Sequence, residues 1–314
     1  MDTIETDETL GQEKINYPKK PKLENYESKD SIMKSLWSLL LFMATFYIVF
    51  RSLTFVVMIS LVLIVHEMGH FSFMKIYNYS NLSLRFIPFL GAYVSGNKTP
   101  MSQREQTNIL FAGPVPGILL GALLYLLAQQ QQNLTILYLA KIFIIINGFN
   151  LLPIAPLDGG KLLQNLFFTS HEQLQNIFSL VSIIMLTSLC IYLEAYIFII
   201  IPGLMYLRFR ADQKNIRLRQ RLIASGLEYR KSYQELDDSE YWKMRDFLVT
   251  NCPEYAELKQ KYYHISQFES LIISKIRVLL IQAPKPDLSF ELKVFYILFW
   301  IVLGIAPFLL FQII

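Results

Sequence analysis

Apolar residues along the chain fall in long blocks almost free of charge, at 36 to 50, 52 to 65, 107 to 128, 134 to 157, 177 to 207 and 294 to 314. A helix needs roughly 20 such residues to cross the hydrocarbon core of a bilayer. Several blocks meet that length, and the block from 177 to 207 is long enough to fold back on itself, with Glu194 at its turn. The pattern predicts an all-α polytopic membrane protein with about seven transmembrane helices. Between the second and third helices, Leu82 to Pro100 is too short to span and is broken by Pro88, Gly91 and Gly96. Its alternating, aromatic-rich halves predict a short membrane-associated β-hairpin. Backbone of that kind persists at membrane depth only where protein or a wet cavity satisfies its polar groups, so a cavity is expected beside it.

The polar stretches divide the rest. Residues 1–35 carry six lysines among eight acids, with prolines and no helical stripe, and predict a disordered cytoplasmic tail. A transmembrane core is expected over 36–208. The segment 209–291, with charges interspersed among apolar residues at helical spacing, predicts a small cytoplasmic segment of two or three helices, and 292–314 a last transmembrane helix.

Composition agrees: 53% of residues are hydrophobic and 17% charged, against about 25% charged in soluble domains. The net charge of +4 matters less than its placement. Only Arg51 stands at the first turn, whereas Lys75, Arg85, Lys98 and Arg104 follow the second helix and a run from Arg208 to Arg221 follows the long block. Under the positive-inside rule these counts put the N-terminus on the cytoplasmic side, and no nucleic-acid partner is implied. The first apolar block lacks a small-residue cleavage site and reads as a retained helix. Two cysteines in unlike settings do not make a disulfide framework.

Chemistry concentrates at the end of the second block, LVLIVHEMGHFSFM. Histidines four apart share one helix face, so His66 and His70 can offer nitrogens to one metal ion, with Glu67 placed to act on water bound there. Ionisable groups in a membrane helix cost roughly 2.5–3.5 kcal/mol each on insertion scales, which makes an accidental HExxH there rare. The bland alternative is a polar contact between helices. A catalytic zinc site takes three protein ligands and an open position, so a third ligand must come from elsewhere. The candidate is Asp158, in the run FIIINGFNLLPIAPLDGGKLL, at the end of a long apolar helix interrupted by Pro153 and Pro156 and followed by two glycines. Taken alone, LDGG is equally a helix-ending turn.

HEMGH in one apolar helix and NLLPIAPLDGG in a later one resemble the site-2 protease family of intramembrane zinc metalloproteases. The resemblance covers about Leu53 to Leu207. It implies one Zn2+ held by His66, His70 and Asp158, with Glu67 as the catalytic glutamate activating a zinc-bound water. It also implies that the hairpin receives an extended segment of a single-span membrane-protein substrate, which points to Phe89, Gly91 and Tyr93. Asn150, and secondarily Asn147, are expected to hydrogen-bond the substrate; ordinary contacts between helices explain both equally well. The run FAGPVPG is similar to the family's Ala-Gly-Pro helix start, but Gly117 stands where many members have asparagine, and Ala155 where proline is frequent. Against proteolysis stands a non-proteolytic zinc-binding scaffold or a metal transporter; no internal repeat favours the transporter. A homodimer contact through 209–291 or the C-terminal helix is left open, and His171 and His264 are read as packing or surface residues.

Overall fold

The structure is a computed structural model that describes residues 17–22, 32–88, 91–98, 100–169, 171–258, 269–281 and 284–311. In chain order it contains α1 (Ile32–Phe50), α2 (Leu53–Ile76), β1 (Ser80–Ile87), β2 (Gly91–Asn97), α3 (Gln103–Ala112), α4 (Pro114–Gln131), α5 (Leu134–Asn150), α6 (Asp158–Leu163), α7 (Glu172–Tyr192), α8 (Ile200–Ala224), α9 (Asp238–Asn251), α10 (Glu269–Leu279) and α11 (Phe290–Phe311). A single π-helical turn, Gln164–Phe168, extends α6. Contacts divide the chain into two units, one from the described residues of Tyr26–Lys214 and Gln282–Ile314, the other from those of Met1–Asn25 and Asn215–Ile281.

Four helical stretches of the first unit are long and apolar enough to cross a membrane: Ile32–Phe50, Leu53–Ile76, Gln103–Gln131 and Glu172–Tyr192. These are the helices of an integral membrane protein. The expected seven spans are not confirmed among the described residues. The fourth block does not run to 157, because the chain leaves the helix at Asn150, ahead of Pro153 and Pro156. That leaves α5 with 17 residues, about 25 Å of helix. The long block does turn at Glu194, where φ is +53°, but its second half stays apolar only to Leu207 before Arg208 and Arg210 begin the charged part of α8. The last helix, α11, has 22 residues.

Packing in this unit follows residue size. On α4, Leu119, Leu123 and Leu126 are 63%, 54% and 60% exposed, a stripe at helical spacing suited to lipid. The opposite face carries Gly117 and Gly121, four apart and buried, the small-residue spacing that lets helix backbones approach. A Cβ on Gly121 would lie 2.7 Å from Ile144 Cγ1 of α5. The predicted hairpin is present: β1 and β2 pair antiparallel, with Leu84 opposite Val94 and Phe86 opposite Ala92. Phe86 is buried in a cluster with Phe42 and Phe46 of α1 and Val56 and Ile59 of α2.

The second unit has its own core, centred on Leu222, Tyr241, Trp242, Leu248 and Ile276. Asp237 opens α9 with a capping box, its carboxylate accepting from the Glu240 N–H. An ion pair is sealed inside: Arg245 Nε lies 3.1 Å from Glu269 Oε1, both side chains under 5% exposed, and the Tyr241 hydroxyl donates to the same oxygen. Residues 17–22 depart from the expected unpacked tail. Pro21 is buried, and the segment is bonded to the turn before α9 and to Trp242.

Candidate metal centre

His66, Glu67 and His70 occupy the buried face of α2 at 3%, 5% and 8% exposure. Asp158 does not end a long helix as the sequence suggested. It opens the short helix α6 after the proline-interrupted loop 151–157. The two glycines after it are helical, and their role is close approach: a Cβ on Gly159 would stand 2.1 Å from the Leu151 carbonyl oxygen, and one on Gly160 2.4 Å from the Ala155 nitrogen. The loop is fixed in turn by the Trp300 indole, which donates to the Leu151 carbonyl at 2.8 Å, and by Ser182, whose hydroxyl accepts from the Ala155 N–H at 3.0 Å.

These elements bring three donor atoms to one point. Asp158 Oδ2 lies 3.0 Å from His66 Nε2 and 3.0 Å from His70 Nε2, and the two nitrogens are 3.1 Å apart. Neighbours of the rings decide where the protons are. Asn147 Nδ2 donates to the Phe143 carbonyl at 2.8 Å, so its Oδ1 is the atom 2.8 Å from His66 Nδ1. His70 Nδ1 lies 2.7 Å from the Ile109 carbonyl, one of the last four carbonyls of α3, which lack intrahelical partners. Both Nδ1 atoms face acceptors, so both carry the proton, and each neutral ring turns a lone pair on Nε2 toward the carboxylate. Three electron-rich atoms in mutual contact, all buried, repel one another unless a cation sits among them. One proton on one nitrogen would bridge a single pair and leave the others opposed.

Among the described residues these three side chains form the one cluster of histidine, cysteine and carboxylate groups able to hold a metal ion. Two imidazoles and a carboxylate suit zinc, whose bonds of about 2.0–2.2 Å place tetrahedral ligand atoms roughly 3.4 Å apart, close to the separations present. The second carboxylate oxygen, Asp158 Oδ1, is taken by Lys161 Nζ at 3.3 Å. Glu67, buried beside the cluster, makes no hydrogen bond among the described residues.

Glycines of the FAGPVPG run make room for this arrangement. A Cβ on Gly113 would lie 2.2 Å from His70 Nε2, and one on Gly117 2.2 Å from Asn147 Nδ2. The glycine that departs from the family pattern is therefore what admits the Asn147 side chain.

The family model for peptidase family M50 matches residues 54–137 and 127–191, a stretch that contains all four side chains. Residues 54–191, under half of the chain, resemble peptidase family M50. Within the matched segment lie nearly all of α2, the hairpin, α3 to α6 and most of α7. A zinc metalloprotease of Methanocaldococcus jannaschii is 26% identical to the chain over 118 residues, 36% of this chain and 34% of that protein. The chain thus aligns with about a third of the length of this curated relative. A site-2 protease of the same organism, known as a solved structure, is 18% identical, with a TM-score of 0.43 over 57% of this chain and 87% of that one.

The remaining expected site residues divide. Asn147 is fully buried, with Oδ1 on His66 and Nδ2 on Phe143. Asn150 is half-buried, and its Nδ2 donates to the Ile146 carbonyl at 3.1 Å. Tyr93 is 45% exposed on β2, Gly91 adopts a φ of +92°, and Phe89 lies outside the described residues, as does His264. His171 is exposed at the start of α7, apart from the cluster. The Ile109 carbonyl and the role of Asn147 toward His66 went unread in the sequence. Asn147 stood out as a polar residue in an apolar block, but its partner is 81 positions away.

Proposed function

We propose that the protein is a zinc-dependent endopeptidase that hydrolyses peptide bonds in or near the transmembrane segments of membrane-protein substrates. The observation that carries this reading is the convergence of two unprotonated imidazole nitrogens and a carboxylate oxygen on one buried point beside an unpaired glutamate. His66, His70 and Asp158 would hold the ion, and a zinc ion bound there supplies Lewis acidity. Glu67 accepts a proton from the attacking water as its oxygen bonds to the scissile carbonyl carbon. It returns that proton to the departing nitrogen as the C–N bond breaks, leaving a carboxylate and an amine. Asn150, which has a carboxamide oxygen to spare, is placed at the end of α5 to accept from a substrate N–H. The N-terminus and the opening of the site face the cytoplasm in this reading, following the lysine and arginine distribution.

A helical substrate hides its carbonyls in its own hydrogen bonds and must be extended before it is cut, which a strand edge can enforce. The outer edge of β1 is already used: the Ser35 hydroxyl donates to the Leu84 carbonyl at 2.7 Å, and Ser38 Oγ accepts from the Phe86 N–H at 3.1 Å. In an antiparallel pair, residues opposite one another turn their backbone groups the same way, both inward or both outward. Leu84 and Phe86 point outward on β1, so their partners Val94 and Ala92 point outward on β2. Substrate therefore adds along Ala92 and Val94, with Gly91 and Tyr93 beside it.

The test uses purified protein and a single-span fusion substrate in detergent micelles. Complete removal of metal by a chelator should abolish cleavage, and one equivalent of zinc should restore it. Cleavage that continues at an undiminished rate in the metal-free protein would overturn the proposal.

A further inference from the structure

Residues Tyr17 to Lys22, Tyr-Pro-Lys-Lys-Pro-Lys, have no regular secondary structure, yet the Pro18 and Pro21 carbonyls and the Lys20 backbone N–H and ammonium group are all matched by the turn before α9 and by α9 itself. The Trp242 indole donates to the Pro18 carbonyl at 2.7 Å, and the Tyr233 hydroxyl donates to the Pro21 carbonyl at 2.9 Å. The Lys20 backbone N–H donates to Asp238 Oδ1 at 2.8 Å. Its ammonium group donates to the carbonyls of Tyr233, at 3.0 Å, Gln234, at 3.1 Å, and Leu236, and stands 5.5 Å from the centre of the Tyr233 ring. Trp242 is completely buried and Tyr233 nearly so.

Each residue type in the segment has a physical reason. Prolines bring carbonyls with no N–H that would need a partner, and they hold the chain extended before binding, which lowers the ordering cost. An extended proline-type helix repeats every three residues, so the carbonyls of Pro18 and Pro21 lie on one edge, where they meet two aromatic donors. Between them the lysine is read twice, by a carboxylate on its backbone and by three carbonyls and an aromatic face on its side chain, a cage that suits an ammonium. An indole N–H and a phenol O–H aimed at the carbonyls of a Pro-X-X-Pro stretch form the contact pattern by which aromatic grooves hold proline-rich ligands.

We propose that the 233–242 groove is a recognition site for an extended Pro-Xaa-Lys-Pro segment, with the chain's own Pro18 to Pro21 as its resident ligand. Lys20 sets its specificity. The site lies wholly within the unit that contains residues 215–281, and it does not depend on the metal centre.

The full-length chain carrying Lys20→Glu, which disables its own ligand, is titrated in detergent with a fluorescein-labelled peptide of residues 15–24, and anisotropy is followed. Saturable one-to-one binding is expected. It should be tighter than binding to the wild-type chain, whose groove is filled. A peptide carrying Lys20→Glu should bind at least roughly ten-fold more weakly, the loss expected on removing a charged hydrogen-bond donor. Equal binding of both peptides, or no binding by a folded variant, overturns the proposal. Should the variant not fold, hydrogen exchange on the wild-type chain decides. The Lys20 amide should be strongly protected and should lose that protection when excess free peptide displaces the segment. An amide that exchanges at the free-peptide rate, or protection that excess peptide leaves unchanged, overturns the proposal.

Discussion

Asn147 on α5 and His66 on α2 meet at 2.8 Å, the carboxamide oxygen accepting the proton of His66 Nδ1. Because the amide nitrogen is held by the Phe143 carbonyl, the carboxamide cannot turn over, and the imidazole is left with its lone pair on Nε2. Partners of this kind fix ring orientation and raise ligand basicity, and their loss typically costs 10–100-fold in metal affinity. Asn147→Ala should therefore bind zinc about 10–100-fold more weakly, read by competition with a calibrated chelator, while retaining its helical content. Unchanged affinity would remove Asn147 from the account of the centre.

Gly117 makes the same point from the facing helix. Its missing Cβ leaves the space that Asn147 Nδ2 fills, a methyl group there being 2.2 Å away. Gly117→Ala should weaken zinc binding as Asn147→Ala does, and the double variant should be little worse than either alone, because both remove one interaction. Additive losses would mean that the two residues act separately.

In the other unit the Arg245–Glu269 pair is sealed from solvent. Removing one partner of a buried pair strands a charge, at a typical cost of about 3–5 kcal/mol. Glu269→Ala should lower protection against hydrogen exchange across α9 and α10 accordingly, and Arg245→Met/Glu269→Leu should recover much of it. Equal protection in wild type and Glu269→Ala would contradict the assignment.

Alkaline pH probes the same core. Burial pushes the Tyr233 phenol up to about 12, and the charge of Glu269 adds to the effect. Tyr241 moves in the same direction, by burial and then by its hydrogen bond to Glu269. A folded-state pKa above the unfolded value of 10.0 favours the neutral phenol in the native state. The contribution is therefore complete below about pH 10 and is lost as the pH rises toward 12. Urea midpoints for this unit should fall over that window, and Tyr233→Phe should blunt the fall.

Much of the metal centre was legible because its parts are local patterns. Four-residue spacing puts His66 and His70 on one face wherever the helix forms, and Gly159 and Gly160 announce a close approach beside Asp158. The hairpin was legible from alternation around Pro88 to Gly91. What escaped depends on contacts between distant elements. Nothing near Asn147 says that a glycine thirty positions earlier makes room for it, and nothing near Pro18 says that a tryptophan over two hundred positions later donates to its carbonyl. Of the expected spans, the fourth block forms a shorter helix than its hydropathy suggests, because the chain leaves the helix at Asn150, ahead of Pro153 and Pro156.

In the proposed mechanism Glu67 would perform proton transfer beside a metal held by His66, His70 and Asp158. The most direct test is Glu67→Gln, which keeps the size of the side chain and removes its basicity. The account predicts that this variant binds one equivalent of zinc with wild-type affinity and leaves a co-expressed single-span substrate uncleaved. Cleavage at the wild-type rate by the zinc-loaded variant would contradict it.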